Sequence, residues 1–158
     1  MPKALPWFSA SAAIVALDQL VKWIFLSKFV PGERLEVTGF FNLVLVFNKG
    51  AAFSFLAGAP GWQTPVLAGV AIIASAVISV LILKNKNKFL FCCGLALILG
   101  GAIGNLIDRL RFGSVVDFLD FHAMGWHWPA FNVADSAITL GAVLLIVEGF
   151  LHRETRPA

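Results

Sequence analysis

Long apolar runs alternate with short polar stretches along this chain, and the apolar runs recur four times. They cover Trp7–Phe29, Pro65–Leu83, Phe89–Leu106 and Val133–Leu151, each near the ~20 residues that cross a bilayer as a helix. The first run follows Lys3 as a cleaved leader would. It continues past Asp18 to Leu26, however, with no small-residue cleavage site after it, so it reads as a retained helix. Runs two and three are joined by the tight basic turn 84–88. The other two connections are long. In the first, Glu33–Thr38 and Phe41–Asn48 are rich in β-branched and aromatic residues and are parted by Gly39, the pattern of a short hairpin or small sheet. In the other, Gly113 breaks the third run and residues 114–116 look extended. The expected fold is an all-α membrane protein: four transmembrane helices and a small extramembrane β-sheet from loop 1.

Composition agrees. Hydrophobic residues make up 59 % of the chain and charged residues 13 %, against about 45–50 % and 25 % in soluble domains. A single integral membrane domain, residues 1–158, accounts for the whole length. The net charge of +3 is small, no basic patch interleaves with aromatics, and no nucleic acid is expected as a partner. Cys92 and Cys93 are adjacent inside an apolar run and form neither a redox pair nor a zinc pattern. His122 and His127 lie among Trp and Phe, where an interfacial role outweighs metal ligation. Phe40, Phe41, Trp62, Trp126 and Trp128 fit an interfacial belt. No metal and no cofactor is expected.

The turn 84–88, Lys3, Arg153 and Arg156 share one side of the membrane, which reads as cytoplasmic and places both termini there. Lys and Arg are nearly balanced overall, six against five, so the short acid-free turn carries that orientation. One consequence is independent of orientation. With four spans, loops 1 and 3 lie on the same side, so Asn48, Asp108, Asp117 and Asp135 can meet.

Ionisable side chains at membrane depth are costly and mark function by default. Asp117 follows the extended stretch, and Asp135 lies in the first turn of the fourth span with Asn132 as its N-cap. Two carboxylates within hydrogen-bond range share one proton. That suits amide hydrolysis: the ionised partner activates water, while the protonated partner polarises the carbonyl and then protonates the leaving amine. A helix-start acid and a loop surface charge would look the same in sequence. Spacing alone also leaves open whether Asp108 or Asp117 partners Asp135. Asn105 and Asp108 share a helix face at i,i+3 and, with Arg109, suit a polar scaffold. Asp18 and Lys22, at i,i+4, suit a neutralising structural pair. Asn48 can hydrogen-bond a peptide backbone or simply serve a turn. Gly100, Gly101 and Gly104 allow close helix approach.

Four ordered motifs occur together: Asp18-Gln19-Leu20-Val21-Lys22, then Asn48-Lys49-Gly50-Ala51-Ala52-Phe53. Next come residues 101–109 with Gly113 and Val116-Asp117-Phe118, and finally Phe131-Asn132-Val133-Ala134-Asp135-Ser136. The set closely resembles bacterial lipoprotein signal peptidase (signal peptidase II). The resemblance implies an intramembrane aspartic endopeptidase of the bacterial inner membrane, with its active site toward the periplasm. Its catalytic pair would fall on Asp117 and Asp135. Its supporting residues would fall on Asn48, Asn105, Asp108, Arg109 and Asn132, with Asp18 and Lys22 in the first motif. Implied substrates are prolipoproteins, cut on the N-terminal side of a cysteine carrying diacylglyceryl, and globomycin is the implied inhibitor. Membrane lipid is the implied surrounding partner. The implied fold adds a short loop helix to the four spans and the sheet.

Two other readings compete with this one. A non-enzymatic polytopic transporter or proton-coupled carrier would employ the buried acids, but they gather at one interface and no inverted repeat is visible. A redox protein would employ Cys92-Cys93.

Overall fold

The structure is a computed structural model and describes residues 4–50 and 61–153. Four long helices dominate: α1 (Leu5–Lys28), α2 (Gln63–Asn85), α3 (Phe89–Phe112) and α4 (Val133–Arg153). All four are long and apolar enough to cross a membrane. Their exposure pattern is inverted relative to a soluble bundle. Asp18 and Lys22 are 0 % and 2 % exposed, whereas Trp23 and Ile73 are 64 % and 67 % exposed. Outward apolar side chains need a hydrocarbon solvent, and inward charges need partners.

Helix α3 is the axis of the bundle. It packs on α1, α2 and α4, and half of its apolar window is buried, against 17–22 % for the other three. Small residues make this possible. Gly104 lies so close to α1 that a Cβ there would sit 2.7 Å from Asp18 Oδ2, and a Cβ on Gly101 would collide with the Ala134 carbonyl of α4. On the other flank Ile78 and Ile82 of α2 bury against Leu95 and Leu99. Helix α3 runs six residues beyond the expected Leu106 and stops at Gly113. That glycine is left-handed, φ +69°, and its N–H bonds the Arg109 carbonyl at 3.0 Å. The polar residues Asp108, Arg109 and Arg111 therefore lie on the last turns of the helix.

The polar end of the bundle carries a four-stranded antiparallel sheet, ordered β1 (Arg34–Thr38), β2 (Phe41–Asn48), β3 (Val115–Ala123) and β4 (Trp126–His127). The expected hairpin in loop 1 is present, but the sheet is not built from loop 1 alone: loop 3 supplies β3 and β4. β1 is an edge strand exposed throughout. β2 pairs with β3 so that Val46 faces Asp117 and Asn48 faces Val115, with a bulge between Leu43 and Val46. The bulge turns both Val44 and Leu45 inward. Leu45, Val116 and Phe118 then pack with Phe25 of α1, tying the sheet to the bundle. The far end of the sheet holds an apolar hollow of about 510 Å³, lined by Phe40, Phe121, Trp126, Trp128 and others. Phe40, Trp62, Trp126 and Trp128 are exposed as an interfacial belt requires, but Phe41 is not: its ring packs on Phe121 at 4.8 Å. The short loop helix does not occur among the described residues, and residues 51–60 of loop 1 lie outside them.

Candidate active site

Three elements converge where β3 leaves the end of α3 and α4 begins. β3 delivers Asp117, the first turn of α4 delivers Asp135, and the end of β2 delivers Asn48. Asp117 is 1 % exposed, whereas Asp135 is half-buried.

Asn132 organises the junction. Its side-chain oxygen accepts the Asp135 N–H at 2.9 Å, the expected N-cap. Its amide nitrogen donates to Asp117 Oδ1 at 2.7 Å, and also lies 3.2 Å from the Val116 carbonyl and from Asn105 Oδ1. Asn105 in turn donates to Asp135 Oδ1 at 2.8 Å. The path Asp117–Asn132–Asn105–Asp135 is thus closed by two amides. On the other side Asn48 donates to Asp117 Oδ2 at 3.1 Å, and its own oxygen accepts the Gly50 N–H at 2.9 Å. The motif beginning at Asn48 is visible only to Gly50; Ala51, Ala52 and Phe53 lie outside the described residues.

Burial first, and the nearby Asp135 charge second, push the Asp117 carboxyl up to about 7. The amides of Asn48 and Asn132 and the charge of Lys22 pull against that rise. An acid with this poise exchanges its proton near neutral pH, as a general acid or base requires.

Asp108 does not face Asp135. One oxygen accepts from Gln19 at 2.8 Å; the other meets Lys22 at 2.7 Å and the Val116 N–H at 3.0 Å. Asp108 therefore faces α1 and the backbone of β3, while Asp117 shares the polar cluster of Asp135. Arg109 donates to the Gly50 carbonyl at 3.2 Å and places its charge near Asp135 and Asp117. Asp18 and Lys22 meet at 2.7 Å. They form more than the expected pair, because Asp108 binds the same ammonium and Asp18 Oδ1 also accepts the Ala134 N–H at 2.9 Å.

Gln19 has a role that its motif did not suggest. It donates to Asp108 and to the Gly104 carbonyl, at 3.2 Å for the latter. The available signal was an uncharged polar residue inside an apolar span, one position from Asp18. Asp120 is a further buried acid, outside the four sequence motifs. It accepts from Asn42 at 2.8 Å and lies 2.9 Å from His127 Nδ1, which places it in the sheet, away from the other acids. Burial raises its proton affinity, but these two partners outweigh burial and leave its carboxyl below the usual range. Cys92 is buried near the other end of α3, its thiol donating to the Asn85 carbonyl at 3.1 Å. Among the described residues no group of three or more His, Cys, Asp and Glu side chains could hold a metal ion.

A family model described as signal peptidase (SPase) II matches residues 10–151. The lipoprotein signal peptidase of Janthinobacterium sp. (strain Marseille) is 57 % identical over 144 residues, covering 91 % of this chain and 87 % of that protein. That of Paraburkholderia phytofirmans is 53 % identical over 143 residues, covering 90 % and 83 %. A bacterial membrane enzyme solved by the in meso method at 2.3 Å resolution superposes with a TM-score of 0.85 and 28 % identity, covering 96 % of this chain and 92 % of its own.

Proposed function

Because the chain belongs to the signal peptidase II family, the lipoprotein signal peptidases, we propose that Asp117 and Asp135 are the catalytic dyad with which it works. The protein is an aspartic peptidase that removes signal peptides from prolipoproteins, and it is a multi-pass membrane protein with bacterial relatives. The observation that carries the residue assignment is the pair of amides, Asn132 and Asn105, which link one acid to the other at a single end of the bundle.

The chemistry follows from two acids sharing a proton. The ionised carboxylate takes a proton from water, and the hydroxide equivalent attacks the scissile carbonyl. The protonated carboxyl hydrogen-bonds the developing oxyanion and then protonates the departing amine. Asn48 and Asn132 fix the two oxygens of Asp117, and Asn105 fixes one oxygen of Asp135. Arg109 holds the Gly50 carbonyl and supplies a fixed positive charge beside the reacting groups. A helical signal peptide hides its amides in internal hydrogen bonds, so cleavage requires an extended substrate. The end of β2 beside Asp117 supplies extended backbone at that place.

The substrate is a prolipoprotein cut just before a diacylglyceryl-cysteine, whose acyl chains stay in the bilayer and add ~0.8 kcal/mol per buried CH₂. The setting is the bacterial inner membrane, with both termini in the cytoplasm and the site toward the periplasm. Globomycin, a cyclic peptide, competes at this site. The test is turnover of lipidated and unlipidated precursor by purified enzyme, with and without globomycin. Asp117→Asn and Asp135→Asn should each lose at least ~10³-fold in kcat, with the thermal transition retained. Wild-type turnover by either variant would refute the dyad, and equal cleavage of both precursors would refute the lipid requirement.

A further inference from the structure

We propose that Lys22 is a positioning residue that sets the spacing and orientation of the two dyad carboxylates from inside the membrane, an inference resting on the assignment of Asp117 and Asp135. The Lys22 ammonium is buried and touches neither acid. It has three N–H donors and meets three acceptors: Asp18 Oδ2 at 2.7 Å, Asp108 Oδ2 at 2.7 Å and Asn105 Oδ1 at 3.1 Å.

Each contact continues to the dyad. Asp18 uses its other oxygen to hold the N–H of Ala134, the residue immediately before Asp135, at 2.9 Å. Asp108 holds the N–H of Val116, the residue immediately before Asp117, at 3.0 Å. One ammonium thus grips two carboxylates, and each carboxylate grips the backbone one residue ahead of a dyad acid. The third arm acts on a side chain. Asn105 Oδ1 receives both Lys22 and Asn132, which leaves its NH₂ group to face Asp135 Oδ1 at 2.8 Å. With the amide reversed, an NH₂ group would meet the ammonium. Neutralising Asp18 needs only the i,i+4 pair within α1. Contacts to Asp108 and Asn105 of α3 are surplus to that purpose and account for the geometry at the dyad. The ionisable groups that surround the ammonium are Asp18 and Asp108 in contact, with Asp117, Asp135 and Arg109 beyond them. Its charge also favours the ionised form of Asp117.

The test compares full-length Lys22→Met with wild type on lipidated precursor, using Ile82→Ala as a variant of the α2–α3 core remote from the site. Lys22→Met should lower kcat ~100-fold, the scale of an ångström-sized misplacement, with KM within about threefold. Its pH profile should also move to higher pH, because the ammonium no longer favours ionised Asp117. Ile82→Ala should lower the thermal transition without moving the profile. If Lys22→Met keeps wild-type kcat and profile per folded molecule, the proposal is overturned. Should Lys22→Met fail to fold, Asp108→Asn, which weakens the arm to Val116 but keeps the ammonium, carries the kcat expectation without the shift of the pH profile, and wild-type kcat per folded molecule overturns the proposal. The two readings fail separately. Inactive aspartate variants beside an unaffected Lys22→Met overturn this proposal alone, whereas active aspartate variants overturn the dyad and this proposal with it.

Discussion

Asp117 has an acid's identity but a nearly neutral poise. Its carboxyl is buried, faces the charge of Asp135, and is pushed up to about 7. Two expectations follow at this scale. A shared proton is lost when both acids ionise, so kcat/KM should fall as pH rises through about 7, as a pH–rate profile of the purified enzyme would show. Stability should move the same way. An acid whose folded pKa lies above its unfolded value favours the fold fully below the unfolded value, and that contribution disappears as pH rises through the folded one. Asp117→Asn should therefore be more stable than wild type at pH 8, by at most about 4 kcal/mol, and lose this advantage near pH 4, as thermal unfolding at the two pH values would show. An unchanged difference across that range would contradict the assignment. The roles readable from sequence at this scale are local ones. Asn132 lies three residues before Asp135 at a helix start, and Asp18 lies four before Lys22. The bonds from Gln19 to Asp108 and from Arg109 to the Gly50 carbonyl cross between distant segments, and no spacing along the chain encodes them.

Among the elements, α3 is the one on which the others depend, and its glycines set the distances. Gly104→Ala would place a Cβ 2.7 Å from Asp18 Oδ2 and should lower stability by about 1–3 kcal/mol. Gly69→Ala on α2, with nothing within 4 Å, should be neutral or stabilising by up to about 1 kcal/mol. Thermal unfolding of both in one detergent decides; equal effects would mean that close approach does not matter at Gly104. The spans and the loop-1 hairpin were legible because apolar length and alternation are local signals. Helix α3 outlasts its apolar run because its last turns carry Asp108, Arg109 and Arg111, which end the apolar pattern without ending the helix; Gly113 is the stop. β3 was seen only as an extended stretch. Residues 115–118 are buried without alternation, since Val116 and Phe118 pack with Phe25 of α1 while Asp117 is enclosed by Asn48 and Asn132, so period-two patterning is absent.

For the whole molecule the inverted exposure of polar and apolar groups defines the solvent, and the loops define two sides. With Cys92→Ser and Cys93→Ser as background, cysteine placed by Asn87→Cys should react with an impermeant reagent only from the cytoplasmic face. Ala123→Cys, at the exposed end of β3, should react only from the opposite face. Labelling of both from one side would refute the topology. The double serine background should itself cleave at near wild-type rate. Cys92 lies sixteen residues before Asp108 on α3, ~24 Å along the helix axis.

The contact between Asp18 and Lys22 also bears on biosynthesis. α1 is made first, long before α3 can offer Asp108 or Asn105. Spaced by one helical turn, the two charges cancel within α1 alone, so the newborn helix crosses the bilayer without two separate penalties of ~2.5–3.5 kcal/mol. The ammonium then waits with spare donors for a helix not yet translated. Exchanging the pair, Asp18→Lys with Lys22→Asp, should insert as wild type does yet fail to assemble, since a carboxylate would now oppose Asp108. A nascent-chain insertion assay beside a thermal melt separates those two outcomes.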